Sequence, residues 1–271
     1  MTKDYRIEPP RSRAGFALLL VVLFLPLLAA CATPPTDPAA RADYDARNDP
    51  IEPTNRDVFA VDQFVDKNAM QPVAQAYRDY VPVVVQHRLH DLLANLQDPV
   101  IEINDLLQGN FARGWVTFQR FAINSTIGGL GLFDVATDWD LPYHDADYGQ
   151  TLAVWGIADG PYVVLPILGP SNVRDAVGTG MGFFLDPLGF VGGNNAFIAN
   201  LSRGVANGID DRADNLDTLK ALEDNSLDFY ATLRSAYRQH RQHEVAEALG
   251  KADQPEGGSS VTLGEPGLVD P

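Results

Sequence analysis

The sequence predicts an all-α protein, and three observations carry that prediction. Apolar residues recur at helical spacing through most of residues 49–248, the breaks between stripes are short and marked by Gly or Pro, and neither a convincing hairpin nor an internal repeat interrupts them. Helices joined so closely stack as antiparallel neighbours. The expectation is a bundle of amphipathic helices with short Gly/Pro-rich connections, and 271 residues with 45% hydrophobic content are ample for a core.

The elements follow in order. Pro53, Thr54 and Asn55 supply start signals for a helix bearing Val58, Val61, Phe64 and Val65. Pro72 opens a second helix with Val73, Tyr77 and Tyr80, and Pro82 a third. In the third, Val85, Leu89, Leu92, Leu93 and Leu96 predict one buried face. Pro99 starts the next, which carries Val100, Ile103 and Leu107 and stops at Gly109. Asn110 caps a helix with Phe111, Trp115, Phe118 and Ala122, which breaks at Gly128, Gly129 and Gly131.

Tyr148 to Gly178 packs apolar residues between Gly and Pro stops so closely that neither a long helix nor an alternating strand runs through it. It reads as a tightly folded hub, with Ser171 capping a helix through Arg174, Asp175 and Val177. Gly178 to Gly193 follows, with Asp186 its only charge, and reads as buried core or as a surface for lipid or a membrane partner. Phe197, Leu201, Val205 and Ile209 give another stripe, then Leu216, Leu219 and Leu222. Asn225-Ser226 caps a last helix with Tyr230, Leu233, Tyr237 and Val245.

The ends are of a different kind. Lys3, Arg6, Arg11 and Arg13 precede an apolar run from Ala14 to Leu28 that ends in Ala29 and Ala30, which predicts a secretory signal in residues 1–30. Leu28-Ala29-Ala30-Cys31 resembles the bacterial lipobox, so Cys31, the only cysteine, is the expected lipid-attachment residue. Ala32 follows it in place of an aspartate that commonly retains lipoproteins at the inner membrane, which favours the outer membrane. Residues 31–48 read as a flexible tether, 49–248 as the helical domain and 249–271 as a disordered acidic tail.

Removing residues 1–30 takes away four basic and two acidic side chains, leaving 16 Lys plus Arg against 34 Asp plus Glu, a net of −18. Such a surface argues against nucleic acid as a partner. It also serves plain solubility.

Catalytic patterns are not found. His87-x-x-His90-Asp91 and His240-x-x-His243-Glu244 lack the zinc-protease order and a third ligand, and read as solvated helix faces. No G-x-S-x-G elbow is present, and Gly178-Thr179-Gly180-Met181-Gly182 fails the dinucleotide spacing. Asp134, Asp138, Asp140, Asp145 and Asp147 lack the EF-hand register. The sequence therefore predicts no enzyme, no metal and no cofactor. Asn55, Asn95, Asn104 and Asn124, beside apolar stripes, either satisfy backbone groups or line a polar path.

Asp49-Pro50 with Asn55-Arg56, Asn95-Leu96 with Pro99, Asn104 with Leu106-Leu107-Gln108-Gly109, and Arg120-Phe121 with Asn124-Ser125-Thr126 resemble the MlaA (VacJ) family of outer-membrane lipoproteins. So do Phe133-Asp134-Val135-Ala136, Gly149-Gln150-Thr151-Leu152, Gly160-Pro161-Tyr162, Leu165-Pro166, Gly169-Pro170 and Arg174-Asp175, a resemblance covering residues 49–245. It implies a ring-shaped helical protein lying in the periplasmic leaflet of the outer membrane. The implied role is removal of mislocalised phospholipid from the outer leaflet through an amphipathic channel, which maintains lipid asymmetry.

The partners so implied are phospholipid, a trimeric porin and a periplasmic lipid carrier. On this reading Asn124, Trp115, Phe118, Phe184 and Leu188 are channel or rim candidates, and Asp91 and Leu92 a hinge or gate. The alternatives are a membrane-anchored lipid-remodelling hydrolase and a structural porin-associated lipoprotein.

Overall fold

The computed structural model describes residue 37, residues 48–187 and residues 196–250. Cys31, the tether apart from residues 37 and 48, Leu188, the side chain of Phe197 and the tail beyond residue 250 lie outside the described residues.

Helix α1 (Glu52–Val65) has Pro53 in its first turn and runs through a π-helical turn, Asp66–Met70, into α2 (Gln71–Tyr80). Pro72 withholds an amide hydrogen from the ladder, and the wide turn sits directly before that defect. Two expected helices are thus continuous. Helix α3 (Val83–Leu107) corrects a boundary, because Pro99 lies inside it and starts no new helix. The ring of Pro99 costs α3 the hydrogen bond to the Asn95 carbonyl, but packing on both sides carries the helix past the gap.

Asn110 caps α4 (Phe111–Thr126) as expected, its side chain accepting from Arg113 N at 3.3 Å. Short α5 (Val135–Asp138) and α6 (Tyr148–Val154) are capped by Asp134 and Asp147. Two strands follow, β1 (Tyr162–Leu165) and β2 (Gly169–Asn172), antiparallel with Tyr162 opposite Asn172 and Leu165 opposite Gly169. This hairpin corrects the expectation of none. Its turn carries no Asn-Gly signal; Ile167 adopts φ 70°, a region costly for a β-branched residue, and its amide is held by Asp62 Oδ1 at 2.8 Å.

Helix α7 (Val173–Leu185) is capped by Asn172, one residue after the predicted Ser171, and crosses α6 where Gly178 meets Gly149. Then come α8 (Ala196–Asp214), α9 (Leu216–Asn225) and α10 (Phe229–Ala248), the last capped by Asp228 and not by Asn225-Ser226. The fold is all-α with, among the described residues, one small hairpin, which packs on α1 and α10 and fills the hub.

The interior inverts the usual pattern. Among the described residues, 19 buried side chains are polar or charged against 13 hydrophobic ones, whereas water-surrounded domains bury apolar groups first. In α3 the buried positions are Leu93, Asn95, Asp98, Ile101, Asn104 and Asp105. Val85, expected inside, is half exposed, and Leu89, Leu92 and Leu96 are partly so. The predicted buried face of α3 is therefore corrected: its inner face is largely polar.

Ion-paired networks hold this interior together. Asp49 accepts from Asn55 Nδ2 at 2.7 Å and from Arg234 Nη1 at 2.7 Å, and Asn55 Oδ1 accepts the Val164 amide at 3.0 Å. Asp175 accepts from Arg241 Nε at 2.8 Å and from the Tyr237 hydroxyl at 2.7 Å. Buried charge is tolerated only when paired in this way.

Candidate functional site

Asp91, Asn95 and Asp98 recur at i, i+4 and i+7 and share one side of α3. Arg120 and Asn124 of α4, Tyr143 and Asp145 of the following loop, and Asp210 and Asp211 of α8 close the other walls of a cavity of about 400 Å³. Its size lies within the range of small-ligand sites, about 300–1,000 Å³. The 127–134 turn presses onto this wall. Gly131, at φ 90°, lies so near Asn95 that a β-carbon there would stand 2.6 Å from the Asn95 side chain, so only glycine fits.

Hydrogen bonds fix the α4 side. Asp134 accepts from Asn124 Nδ2 and Arg120 Nη2, both at 2.9 Å, and from the Thr137 hydroxyl at 2.5 Å, while Asn124 Oδ1 accepts the Ala136 amide at 2.9 Å. Burial pushes the Asp134 carboxyl up, but the hydrogen bonds from Thr137, Arg120 and Asn124 outweigh it and hold the group below the ordinary range. Arg120 also donates to the Leu141 carbonyl and lies over the Tyr143 ring at 5.4 Å.

The α3 and α8 sides are acidic. His90 Nδ1 stands 2.8 Å from Asp210 Oδ2, and the Tyr77 hydroxyl donates to Asp210 Oδ1 at 2.9 Å. Burial pulls the His90 imidazolium down, yet Asp210 and the neighbouring carboxylates raise it overall. Asp98 is 2% exposed, and among the described residues no donor reaches its carboxylate. Burial pushes that carboxyl up to about 7, with Arg120 opposing.

His90, Asp210 and Asp214 bring ligand atoms within 4.8 Å of one another, a donor set that suits a divalent cation. His87 is not among them. His240 and His243 pair along α10 with Glu244 at 3.3 Å and Glu247 at 3.6 Å. Thr117 Oγ1 lies 3.5 Å from His144 Nε2, but both bond the same Asp105 oxygen and Thr117 is buried, so the cluster joins α3 to α4 and offers no exposed nucleophile.

Of the residues singled out in the sequence, Asn95, Asn124 and Asp91 line the cavity; Leu92, half-buried beside Asp91, does not. Trp115 and Phe118 stack at 5.5 Å on the other face of α4, 60% and 43% exposed. Phe184, 76% exposed, stands edge-on to Phe183 near the end of α7. Two surfaces thus emerge, a polar cavity and an apolar exterior. Asn55 and Asn104 serve structure, the latter donating to the Val100 carbonyl at 2.8 Å and accepting from Thr151 at 2.7 Å. Asp98, Arg120 and Asp210 were missed as wall residues; the signal was a polar period at 91, 95 and 98 inside an apolar helix.

The exterior continues past these residues. Val84, Phe111, Leu130 and Ile167 are each at least 70% exposed, although among the described residues no helix is long and apolar enough to cross a membrane. Exposed apolar side chains thus occur on α3, α4, the 127–134 turn and the hairpin turn, and where such residues form a large patch they mark contact with lipid or protein.

Comparison with known proteins gives consistent results. A family model described as MlaA lipoprotein matches residues 47–244. An uncharacterized protein of Rickettsia felis is 35% identical over 198 residues, covering 73% of this chain and 78% of that protein. The intermembrane phospholipid transport system lipoprotein MlaA of Escherichia coli (strain K12) is 33% identical over 217 residues, covering 79% of this chain and 82% of the other. A structure solved in work on the maintenance of bacterial outer membrane lipid asymmetry superposes with a TM-score of 0.65 at 33% identity, covering 73% of this chain and 98% of that one.

Proposed function

The chain belongs to the MlaA lipoprotein family, and from that premise we propose that it removes mislocalised phospholipid from the outer leaflet of the outer membrane and passes it toward a periplasmic carrier. The observation that carries this reading is the inverted body: an apolar exterior around a polar cavity of about 400 Å³. A headgroup travelling through the cavity meets polar walls while the acyl chains stay against apolar surface. This lowers the several kcal/mol otherwise needed to bring a charged group into hydrocarbon. No bond is made or broken, so direction comes from the acceptor downstream.

In this proposal residues 1–30 are a cleaved signal, Cys31 carries the lipid anchor, residues 31–48 are the tether, and residues 49–248 form a ring in the periplasmic leaflet beside a trimeric porin. Asn124 and Asp91 belong to the channel wall; Trp115, Phe118, Phe184 and Leu188 belong to the lipid-facing rim. Outer-leaflet phospholipid exposure, measured in cells lacking the gene and complemented with wild type or Cys31→Ala, tests the role. Exposure that rises on deletion and falls only with the lipidatable form supports it. Unchanged asymmetry on deletion overturns it.

A further inference from the structure

The cavity is chemically one-sided. Six carboxylates line it, those of Asp91, Asp98, Asp134, Asp145, Asp210 and Asp211, against the guanidinium of Arg120 and the imidazole of His90. Most of these acids are already engaged: Asp134 with Arg120 at 2.9 Å, Asp91 with Arg88 at 3.0 Å, Asp210 with His90 at 2.8 Å, and Asp145 with the Tyr143 hydroxyl at 2.7 Å. Asp98 and Asp211 are the exceptions; Asp211 is exposed to solvent, whereas Asp98 is buried, lines the cavity and takes no donor from the described residues. A buried carboxylate without a donor is costly to maintain. A cationic ligand with several N–H donors removes the cost.

Arg120, on the same wall, keeps its buried Nε hydrogen without an acceptor. The wall therefore holds unfilled acceptors at Asp98 and at Asn95 Oδ1 and one unfilled donor at Arg120. That is the complement of a zwitterion bearing an ammonium and a phosphate, with the ammonium the more strongly demanded. An anionic headgroup without an amine leaves Asp98 unpaired and meets the surplus of carboxylates.

We infer that the cavity is selective for phospholipids with a primary ammonium headgroup, phosphatidylethanolamine by chemistry, over anionic phosphatidylglycerol, and that Asp98 is the residue that sets the preference. This rests on the lipid-passage reading above and adds the headgroup class.

The test uses full-length acylated protein in phosphatidylcholine vesicles doped with phosphatidylethanolamine or phosphatidylglycerol, each carrying the same diazirine near its glycerol ester. Labelling of peptides spanning residues 90–98 and 120–124 is quantified by mass spectrometry. The ethanolamine probe should label these peptides at least about threefold more than the glycerol probe in wild type. Asp98→Asn should bring the ratio to about one with total cavity labelling retained, and Asp98→Glu should keep the preference. A wild-type ratio of one or below, or an unchanged ratio in Asp98→Asn, overturns the inference while leaving lipid passage standing. Labelling confined to Trp115 and Phe184 peptides with none in the cavity overturns both.

Discussion

Gly178 of α7 rests directly on Gly149 of α6: a β-carbon on Gly178 would stand 2.4 Å from the Gly149 amide nitrogen. One on Gly149 would stand 2.5 Å from Arg241 Nη2 and 2.6 Å from Asp175 Oδ1. The two helices meet backbone to backbone, and this contact seats α10 through Arg241. Gly178→Ala forces the helices apart and should destabilise the protein by about 1–3 kcal/mol through overpacking. Thermal unfolding of the detergent-solubilised protein, followed by circular dichroism, reads the effect. An unchanged midpoint would mean that the crossing has slack.

Asp98 gives a pH dependence of definite sign. Its carboxyl is pushed up to about 7 by burial in the folded protein, against an ordinary value of 3.8. Between those values the folded state holds a proton that the unfolded chain has lost, so stability falls as pH rises through the window. Asp98→Asn removes this term. The variant should be more stable than wild type at pH 8, by on the order of 1–3 kcal/mol for relief of an unpaired buried acceptor, and nearly equal to it at pH 4. Urea unfolding at both pH values checks the prediction. Greater stabilisation at pH 4 than at pH 8 would reverse the sign and refute it.

The sequence showed much of the fold because helix starts are local chemistry: Pro53, Pro82 and Asn110 each stand where a helix begins. It did not show which way the helices face. The Val85 to Leu96 stripe was read toward a core because apolar surface ordinarily leaves water. A lipid surround, as proposed, would remove that driving force, so periodicity alone cannot distinguish inside from outside. The cavity was half visible, since Asn95 and Asn124 stand out as amides beside apolar stripes, but Asp98 is a charged residue that an aqueous reading turns outward. The hairpin escaped because its turn relies on a tertiary hydrogen bond from the Ile167 amide to Asp62 and not on turn residues.

Arg241 is 9% exposed and joins three carboxylates, donating to Asp175 at 2.8 Å, Asp147 at 2.7 Å and Glu244 at 2.9 Å. Removing its charge takes from buried Asp175 one of its two arginine partners, leaving Arg174 Nε at 2.9 Å and the Tyr237 hydroxyl at 2.7 Å. Arg241→Met, which keeps most of the side-chain stem, should cost about 3–5 kcal/mol, the usual penalty for breaking one side of a buried pair. Adding Asp175→Asn should recover part of the loss, because the two changes share one network. A double-mutant cycle by chemical denaturation measures this; strict additivity would show that the two residues do not act together.

The exterior makes a separate prediction. Phe184 and Trp115 are exposed on helices whose inner faces carry Arg174, Asp175, Arg120 and Asn124, so replacing either leaves the interior networks intact. On the proposed seating, Phe184→Asp places a charge where the rim would enter hydrocarbon, at a cost of about 2.5–3.5 kcal/mol if the site is deep and less near the interface. It should shift full-length protein without the proposed anchor (Cys31→Ala) from floated vesicles to the soluble fraction by roughly tenfold or more, each factor of ten being worth about 1.4 kcal/mol. Its circular dichroism spectrum should be unchanged. The anchor-free background matters, because acyl chains alone would hold an unseated domain at the membrane and hide the loss. Trp115 supplies the internal check: its fluorescence should be quenched by brominated acyl chains in wild type and released in Phe184→Asp. Quenching that persists together with unchanged flotation would place Phe184 outside the lipid contact and assign its apolar surface to a protein neighbour instead.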